Sequence, residues 1–333
     1  MEAREIIKVE NLTKVFNRSL VAVDHVSFSV YEGEIFGFLG PNGAGKTTTI
    51  NMLTTVLRPT EGTALVLGYE VTTQPEEVRR NVGVVPQEYT ADEDLTGWEN
   101  LMLCADLYGV PRKLAAERAE ELLRLVELKG SEHRKVETYS GGMRRRLEFA
   151  CGLINRPKIL FLDEPTLGLD VQTRVAIWDY IRRLRKDHGT TIFLTTHYLE
   201  EADALCDRIA IIDRGKIVAM GKPSELKEGL GGDIVTLVLE GDADASALIR
   251  EIEPVSEVWR EDGTYWVKTK EGRVALPKII EALGKRGFVV RKASLLEPSL
   301  NEVYMSYTGK SMRETEGGEE ARRLRRVLRM ARR

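Results

Sequence analysis

Between residues 6 and about 225, short apolar runs alternate with stretches in which apolar positions recur at helical spacing. The runs Ile35–Leu39, Val82–Val85, 159–162, 191–195 and 209–212 show almost no polar alternation, so they predict strands buried on both faces. In alternation with helices, such strands predict an α/β fold with a mostly parallel sheet covered on both sides. Residues 47–57 have helical spacing and stop at Arg58-Pro59, because a residue before proline is pushed out of the helical region. From Glu93 to about Asn155 the strand pattern disappears. Residues 98–108 and 113–128 predict two amphipathic helices separated by Gly109-Val110-Pro111, which makes this stretch a helical insert. Trp98, Met102 and the stripe Leu122-Leu123-Leu125 are assigned to its core.

Lys222-Pro223 and then Gly229, Gly231 and Gly232 mark a linker, and the periodicity changes beyond it. Residues 234–239 predict a strand, 243–253 a helix, 257–260 and 265–269 two strands, 273–286 a helix and 289–293 an extended segment. That β-α-β-β-α-β order is ferredoxin-like, a small α+β domain. The expected organisation is a first domain over 4–228 with its helical insert at about 93–155, an accessory regulatory domain over 230–308, and a tail over 309–333. The tail ends in EEARRLRRVLRMARR, with seven arginines after residue 320. As a helix it would place Ala321, Leu324, Val327, Leu328 and Ala331 on one stripe, which suits either a solvated or frayed terminal helix or contact with anionic lipid headgroups or an acidic face of a membrane partner.

Composition narrows the class without naming it. Of 333 residues, 42% are hydrophobic and 30% charged, enough to bury a core, and the net charge of −3 gives no bulk field for nucleic acid. The N-terminal MEAREIIKVENLTKVF carries charges throughout, unlike a signal peptide, and no run reaches the ~20 apolar residues of a membrane span. Any membrane role must therefore run through a partner. Cys104, Cys151 and Cys206 lie far apart with no CxxC spacing, so each is expected as a small buried residue in a reducing setting.

The chemistry enters with Gly40-Pro41-Asn42-Gly43-Ala44-Gly45-Lys46-Thr47, a full GxxxxGK[ST] match between a strand and a helix. Glycines there let backbone N–H groups curl around phosphates, and the helix adds its positive end. Lys46 can reach β- and γ-phosphates, and the Thr47 hydroxyl can meet Mg²⁺. Downstream, the apolar run 159–162 ends in Asp163-Glu164. Asp163 is placed to hold the Mg²⁺ shell, and Glu164 to polarise the water that attacks the γ-phosphate.

Tyr139-Ser140-Gly141-Gly142-Met143 resembles the signature motif of ABC ATPases. Gln87 in VVPQE, Asp170 in LGLD and His197 in TTH complete that family's motif set in the family's order. The resemblance spans residues 4 to about 225. It implies a P-loop NTPase nucleotide-binding domain with antiparallel β elements near the N-terminus. It also implies that ATP is bound by Phe16, stacked on adenine, and by residues 40–48, Thr48 included. Glu164 would be the general base and His197 the switch residue on the γ-phosphate, with Lys46 and Gln87 beside them. Gln87 would join Thr47 and Asp163 at the metal and also link to the membrane partner. Ser140, Gly141, Gly142 and Asp170 would serve nucleotide held by a second copy of the chain. A serine and two glycines opening a helix do form an anion site, and two such half-sites give a closed head-to-tail C₂ dimer.

Two positions depart from the family pattern. Tyr139 stands where the signature has Leu and keeps a large apolar body. Met143 stands where it has Gln and removes a hydrogen-bonding group near the partner's nucleotide. The single ATPase unit, the TGWENL segment and the ending PSLNEVY resemble drug-resistance exporter ATPases of the daunorubicin type. That implies an ATP- and Mg²⁺-using subunit on the cytoplasmic face of the cell membrane, energising a separate ABC-2 permease. Its cargo would be a hydrophobic drug-like or lipid-like compound, with no nucleic acid partner. The alternatives are the ATPase of a polysaccharide, sodium or import system, or a soluble ABC protein acting on nucleic acid or ribosomes. A single phosphate loop and an insert of ordinary length weigh against the last.

Overall fold

Every residue of the runs Ile35–Leu39 and Ile159–Asp163 is buried in the computed structural model of the chain, which describes residues 4–308 apart from 18, 231, 242 and 262. Both runs are interior strands of the first of two units, divided between Lys222 and Pro223. In that unit β1 (Glu5–Phe16) and β2 (Leu20–Tyr31) form a hairpin, and β3 (Ile35–Leu39) leads into α1 (Lys46–Leu53). There follow β4 (Glu61–Val66), β5 (Tyr69–Glu70), α2 (Pro75–Asn81) and β6 (Val82–Val85). Three helices come next, α3 (Gly97–Leu107), α4 (Arg112–Leu125) and α5 (Gly141–Leu153). The unit closes with β7 (Ile159–Asp163), α6 (Val171–His188), β8 (Thr191–Thr196), α7 (Leu199–Leu205), β9 (Arg208–Asp213) and β10 (Lys216–Gly221).

The central sheet has the order β10-β9-β3-β8-β7-β6 and is parallel except at the β10 edge. A second sheet, β2-β1-β4-β5, is antiparallel throughout. Phe28 of β2 joins the two, with its ring 5.5 Å from Phe36 and Phe38 and 6.0 Å from Phe193. The parallel register matters most for function. Val85 lies beside Leu162, Asp163 beside Thr195 and Leu39 beside Thr196. The carboxyl ends of β3, β6, β7 and β8 thus share one edge, where ligands bind in sheets of this kind.

The insert is helical as expected, and α3 starts at a full capping box. The Thr96 hydroxyl accepts the Glu99 N–H while the Glu99 carboxylate accepts the Thr96 N–H and O–H. Trp98, Met102 and Leu125 are only half-buried, so the insert's core is narrower than the stripe implied. It is carried by Leu101, Ala105, Leu122 and Leu123. Cys104 is also half-buried, while Cys151 and Cys206 are buried as expected, and all three are free thiols. α1 stops at Leu53, short of Leu57, because Thr55 takes a left-handed φ of 66°.

The second unit holds α8 (Pro223–Glu228), β11 (Asp233–Leu239), α9 (Ser246–Arg250), β12 (Val255–Glu261) and β13 (Thr264–Thr269). It ends with α10 (Gly272–Lys285), β14 (Val290–Leu296) and α11 (Leu300–Thr308). The sheet β12-β13-β11-β14 is fully antiparallel. Val235, Leu237, Tyr265 and Val267 alternate onto one face and pack with Ile249, Ile279 and Leu283 of the helices. The helix expected over 243–253 shrinks to five residues. The Tyr265 hydroxyl donates to the Ala243 carbonyl and accepts the Ala245 N–H, which holds those residues outside it. Residues 223–228, expected in the first domain, group with the second unit, where α8 neighbours α11. The basic tail and its lipid contact fall outside the described residues.

Candidate functional site

From the end of β3 the chain turns through Gly40 to Gly45 into α1. A Cβ on Gly40 would lie 2.4 Å from the Ile212 carbonyl oxygen. On Gly45, at φ +107°, it would lie 2.4 Å from that of Ala22. Only glycine fits either place. No side chain caps this end of α1, so the first-turn N–H groups face the loop with the helix's positive end. Around the loop Asn42, Gly43 and Thr47 are exposed, Pro41 and Thr48 half-buried and Ala44 buried.

Lys46 is 4% exposed and its ammonium is fully engaged. It donates to the Gly40 carbonyl at 2.8 Å and the Pro41 carbonyl at 3.0 Å, and pairs with Glu164 Oε1 at 2.9 Å. The other carboxylate oxygen of Glu164 accepts from His197 Nδ1 at 2.8 Å. Glu164 also has a left-handed φ of 48°, uncommon for a residue with a side chain and a recurrent feature of functional sites. Its N–H reaches the Thr195 carbonyl at 3.1 Å and the Thr195 hydroxyl at 3.0 Å. That hydroxyl in turn donates to Asp163 Oδ1. Burial alone would push the Glu164 carboxyl upward, but the His197 hydrogen bond and the charge and hydrogen bond of Lys46 outweigh it and bring it down to about 2. The carboxylate is ionised at neutral pH. The His197 ring packs at a tilt against that of Tyr198, 4.2 Å away, and the Arg174 guanidinium sits over the Tyr198 ring at 4.2 Å.

Gln87 lies two residues beyond β6 at the same sheet edge, with its side chain exposed. Phe16 closes β1 at the hairpin whose second strand supplies Ala22 against Gly45, and the Lys14 ammonium stands 5.3 Å from its ring centre. The hydroxyl of Thr47, the amide of Gln87 and the carboxylate of Asp163 are all oxygen donors. One carboxylate with few protein ligands beside a phosphate cradle fits Mg²⁺, which keeps phosphate and water in its shell.

A second cluster lies apart from these residues. Ser140 caps α5, its hydroxyl accepting the Met143 N–H at 3.3 Å, and Asp170 caps α6, accepting the Thr173 N–H at 2.9 Å. Ser140, Gly141, Gly142, Gly168 and Asp170 line one depression, with Thr173 and Arg146 beside them. Gly142 packs on Thr173, whose methyl would sit 3.0 Å from an added Cβ. The hydrogen bond that Asp170 accepts from the Thr173 backbone N–H holds its carboxyl below its ordinary value. Tyr139 does more than fill space. Its hydroxyl donates to the Ser131 carbonyl at 2.7 Å and leaves room for nothing larger than glycine at Gly97.

Two residues of α5 went unnoticed in the sequence. Arg145, between two other arginines, is buried, and Glu148 one turn on is buried as well. Arg145 donates to the Pro86 carbonyl, and Glu148 accepts the N–H groups of Thr90 and Ala91 and the Thr90 hydroxyl. The loop carrying Gln87 is thus held on both sides by the helix that Ser140 caps. The helical spacing of Arg145 with buried Phe149 was the available signal.

Comparison with known proteins gives relatives for both units. Residues 23–167 match the family model for the ABC transporter, and residues 221–308 match that for the C-terminal domain of DrrA1-3-like ATP-binding proteins. The chain is 43% identical to the daunorubicin/doxorubicin resistance ATP-binding protein DrrA of Streptomyces peucetius, over 91% of this chain and 92% of that one. It is 35% identical to the linearmycin resistance ATP-binding protein LnrL of Bacillus subtilis, over 93% of this chain and all of that one. Among solved structures, the ATP-binding subunit of an ABC transporter superposes with a TM-score of 0.61 at 30% identity, covering 68% of this chain and 93% of that one. A dimeric ATP-binding cassette in a post-hydrolysis state with ADP and Pi gives 0.59 at 29%, covering 65% and 98%.

Proposed function

The chain belongs to the ABC transporter ATP-binding proteins, and from that membership we propose that it energises export of drug-like or lipid-like compounds through a separate ABC-2 permease. It is an ATPase with an ABC nucleotide-binding domain and an accessory domain of the DrrA type. The drug assignment rests on relatives named for daunorubicin, doxorubicin and linearmycin resistance that match both units. Among the described residues no helix is long and apolar enough to cross a membrane. From its family, we read the subunit as held at the cytoplasmic face by a permease.

One observation carries the mechanism: the ionised Glu164 carboxylate sits between the phosphate-loop Lys46 and His197 at the sheet edge. With ATP in the loop, the Lys46 ammonium turns from Glu164 and the two carbonyls to the β- and γ-phosphate oxygens, and His197 meets the γ-phosphate. Glu164 then loses the partners that lower its proton affinity while remaining buried, and becomes the stronger base the reaction needs. It accepts a proton as the water oxygen bonds to the γ-phosphorus, and the bond from that phosphorus to the β,γ-bridging oxygen breaks, leaving ADP and phosphate. Thr47, Asp163 and Gln87 would hold Mg²⁺, which neutralises the phosphate oxygens when bound.

Ser140, Gly141, Gly142 and Asp170 line one surface depression and are read as the half-site for a second copy's nucleotide. That solved relatives are described as dimeric supports the pairing of two copies, which we read as head to tail. The second unit is read as a regulator or dimer support.

Replacing Glu164 by Gln keeps the shape of the side chain and removes the base. Steady-state hydrolysis by purified Glu164→Gln should drop by about 10²–10⁴ with ATP binding retained, the usual share of a positioned base. Turnover close to wild type would remove the assignment.

A further inference from the structure

Glu164 is held in an unfavourable backbone conformation, and the side chain that secures its carbonyl belongs to neither the phosphate loop nor the β7 strand. Three groups of Glu164 are fixed separately. Its N–H is held by Thr195, its carboxylate by Lys46 and His197, and its carbonyl by Arg145 Nη2 at 2.8 Å. The same guanidinium donates to the preceding carbonyl, of Asp163, at 3.3 Å, and through Nε to the following one, of Pro165, at 2.7 Å. Its remaining nitrogen, Nη1, reaches Pro86 at 2.6 Å. Arg145 is 2% exposed, and all its hydrogen bonds end on main-chain carbonyls rather than a carboxylate.

A buried cation is costly unless every donor is met, and a planar fork with five N–H groups is the one side chain that can gather four carbonyls from two segments. Three of the four belong to consecutive residues centred on the left-handed one. Carbonyl dipoles turned toward one cation define the plane of each peptide, and the peptides on either side of Glu164 set the direction in which its side chain leaves the backbone. We infer that Arg145 is a positioning residue for hydrolysis, which fixes the backbone of the Asp163–Pro165 turn so that the Glu164 carboxylate points at the attacking water. The inference rests on the reading of Glu164 as the base. Because Arg145 lies in the helix that Ser140 caps, it also ties the base turn of one chain to the segment read as facing the other chain's nucleotide. The fourth carbonyl, Pro86, brings the Gln87 loop under the same hold.

Lysine at 145 keeps the charge but presents a single nitrogen that cannot span both segments. If Arg145 positions the base, Arg145→Lys should lower kcat at least about tenfold while the KM for ATP stays within about twofold, the mark of an interaction that serves the transition state. The unhydrolysed ATP should then accumulate the dimer on gel filtration, as in Glu164→Gln. Arg145→Gln, which keeps at most two of the contacts, should behave the same way and lie lower still. The decisive comparison is the double variant. Arg145→Lys added to Glu164→Gln should cost no further activity, because a base that is gone cannot be misplaced.

Four outcomes overturn the inference: unchanged kcat, a raised KM at unchanged kcat, losses that multiply in the double variant, or failure of both Arg145 variants to bind ATP. The last two would assign Arg145 to an independent role or to the fold. Near-normal turnover of Glu164→Gln alone would instead remove the base assignment, a separate failure visible in the same set of proteins.

Discussion

The two clusters of candidate site residues in the first unit are built on opposite principles. Lys46, Asp163 and Glu164 are buried, and each is pinned by hydrogen bonds from strands, loop and helix. Ser140, Gly141 and Asp170 are exposed, and their side-chain hydrogen bonds stay within their own helix starts. Burial strengthens each electrostatic contact and raises the penalty for losing a partner, so the first cluster is preorganised for chemistry. Self-capped helix ends on an open surface are ready to dock an anion brought by something else. The difference bears on the proposed division of labour: the buried cluster has its partners within its own chain, and the exposed one is proposed to take its partner from outside it.

That contrast should be visible in stability before any assay of transport. The sharpest probe is Thr195→Val, which keeps the shape of a fully buried side chain and deletes the hydroxyl between Asp163 and Glu164. Losing a hydrogen bond to a buried carboxylate should destabilise the first unit by about 2 kcal/mol in denaturant unfolding. A shift of only a few tenths would mean that the buried cluster is not the pinned network described. At the other end of the scale, Ser140→Ala removes one exposed cap and should cost about 1 kcal/mol or less. Its hydrolysis should nevertheless fall more steeply than its stability. A Ser140→Ala loss of stability equal to that of Thr195→Val would erase the distinction between the clusters.

The same contrast explains what could be read from sequence. The phosphate loop and the pair Asp163-Glu164 are local: a glycine pattern, an apolar run and its end. The caps Ser140 and Asp170 are local too. Arg145 and Thr195 were illegible because their partners are remote. Arg145 grips carbonyls 18 to 59 residues away, and Thr195 lies opposite Asp163 through strand pairing 32 residues off. Three adjacent arginines look alike in sequence, and only the packed sheet shows which one turns inward. In the second unit the strands were legible from period-two alternation. The helix before β12 was overcalled because the Tyr265 hydroxyl, some twenty residues away, decides where it begins. The division at Lys222 was likewise set by how α8 packs rather than by the glycines that follow it.

The central claim is that one chain carries two unlike half-sites that work only across a pair of chains. Mixing two dead variants tests it most directly. Lys46→Ala ruins the buried half and Ser140→Arg the exposed half, so each mixed dimer places both defects in one site and leaves the other intact. With random pairing, half the dimers are mixed and each has one good site. ATP hydrolysis should therefore recover to about a quarter of wild type when two differently tagged variants are mixed and exchanged. No recovery in a preparation where the tags demonstrably copurify would contradict the account.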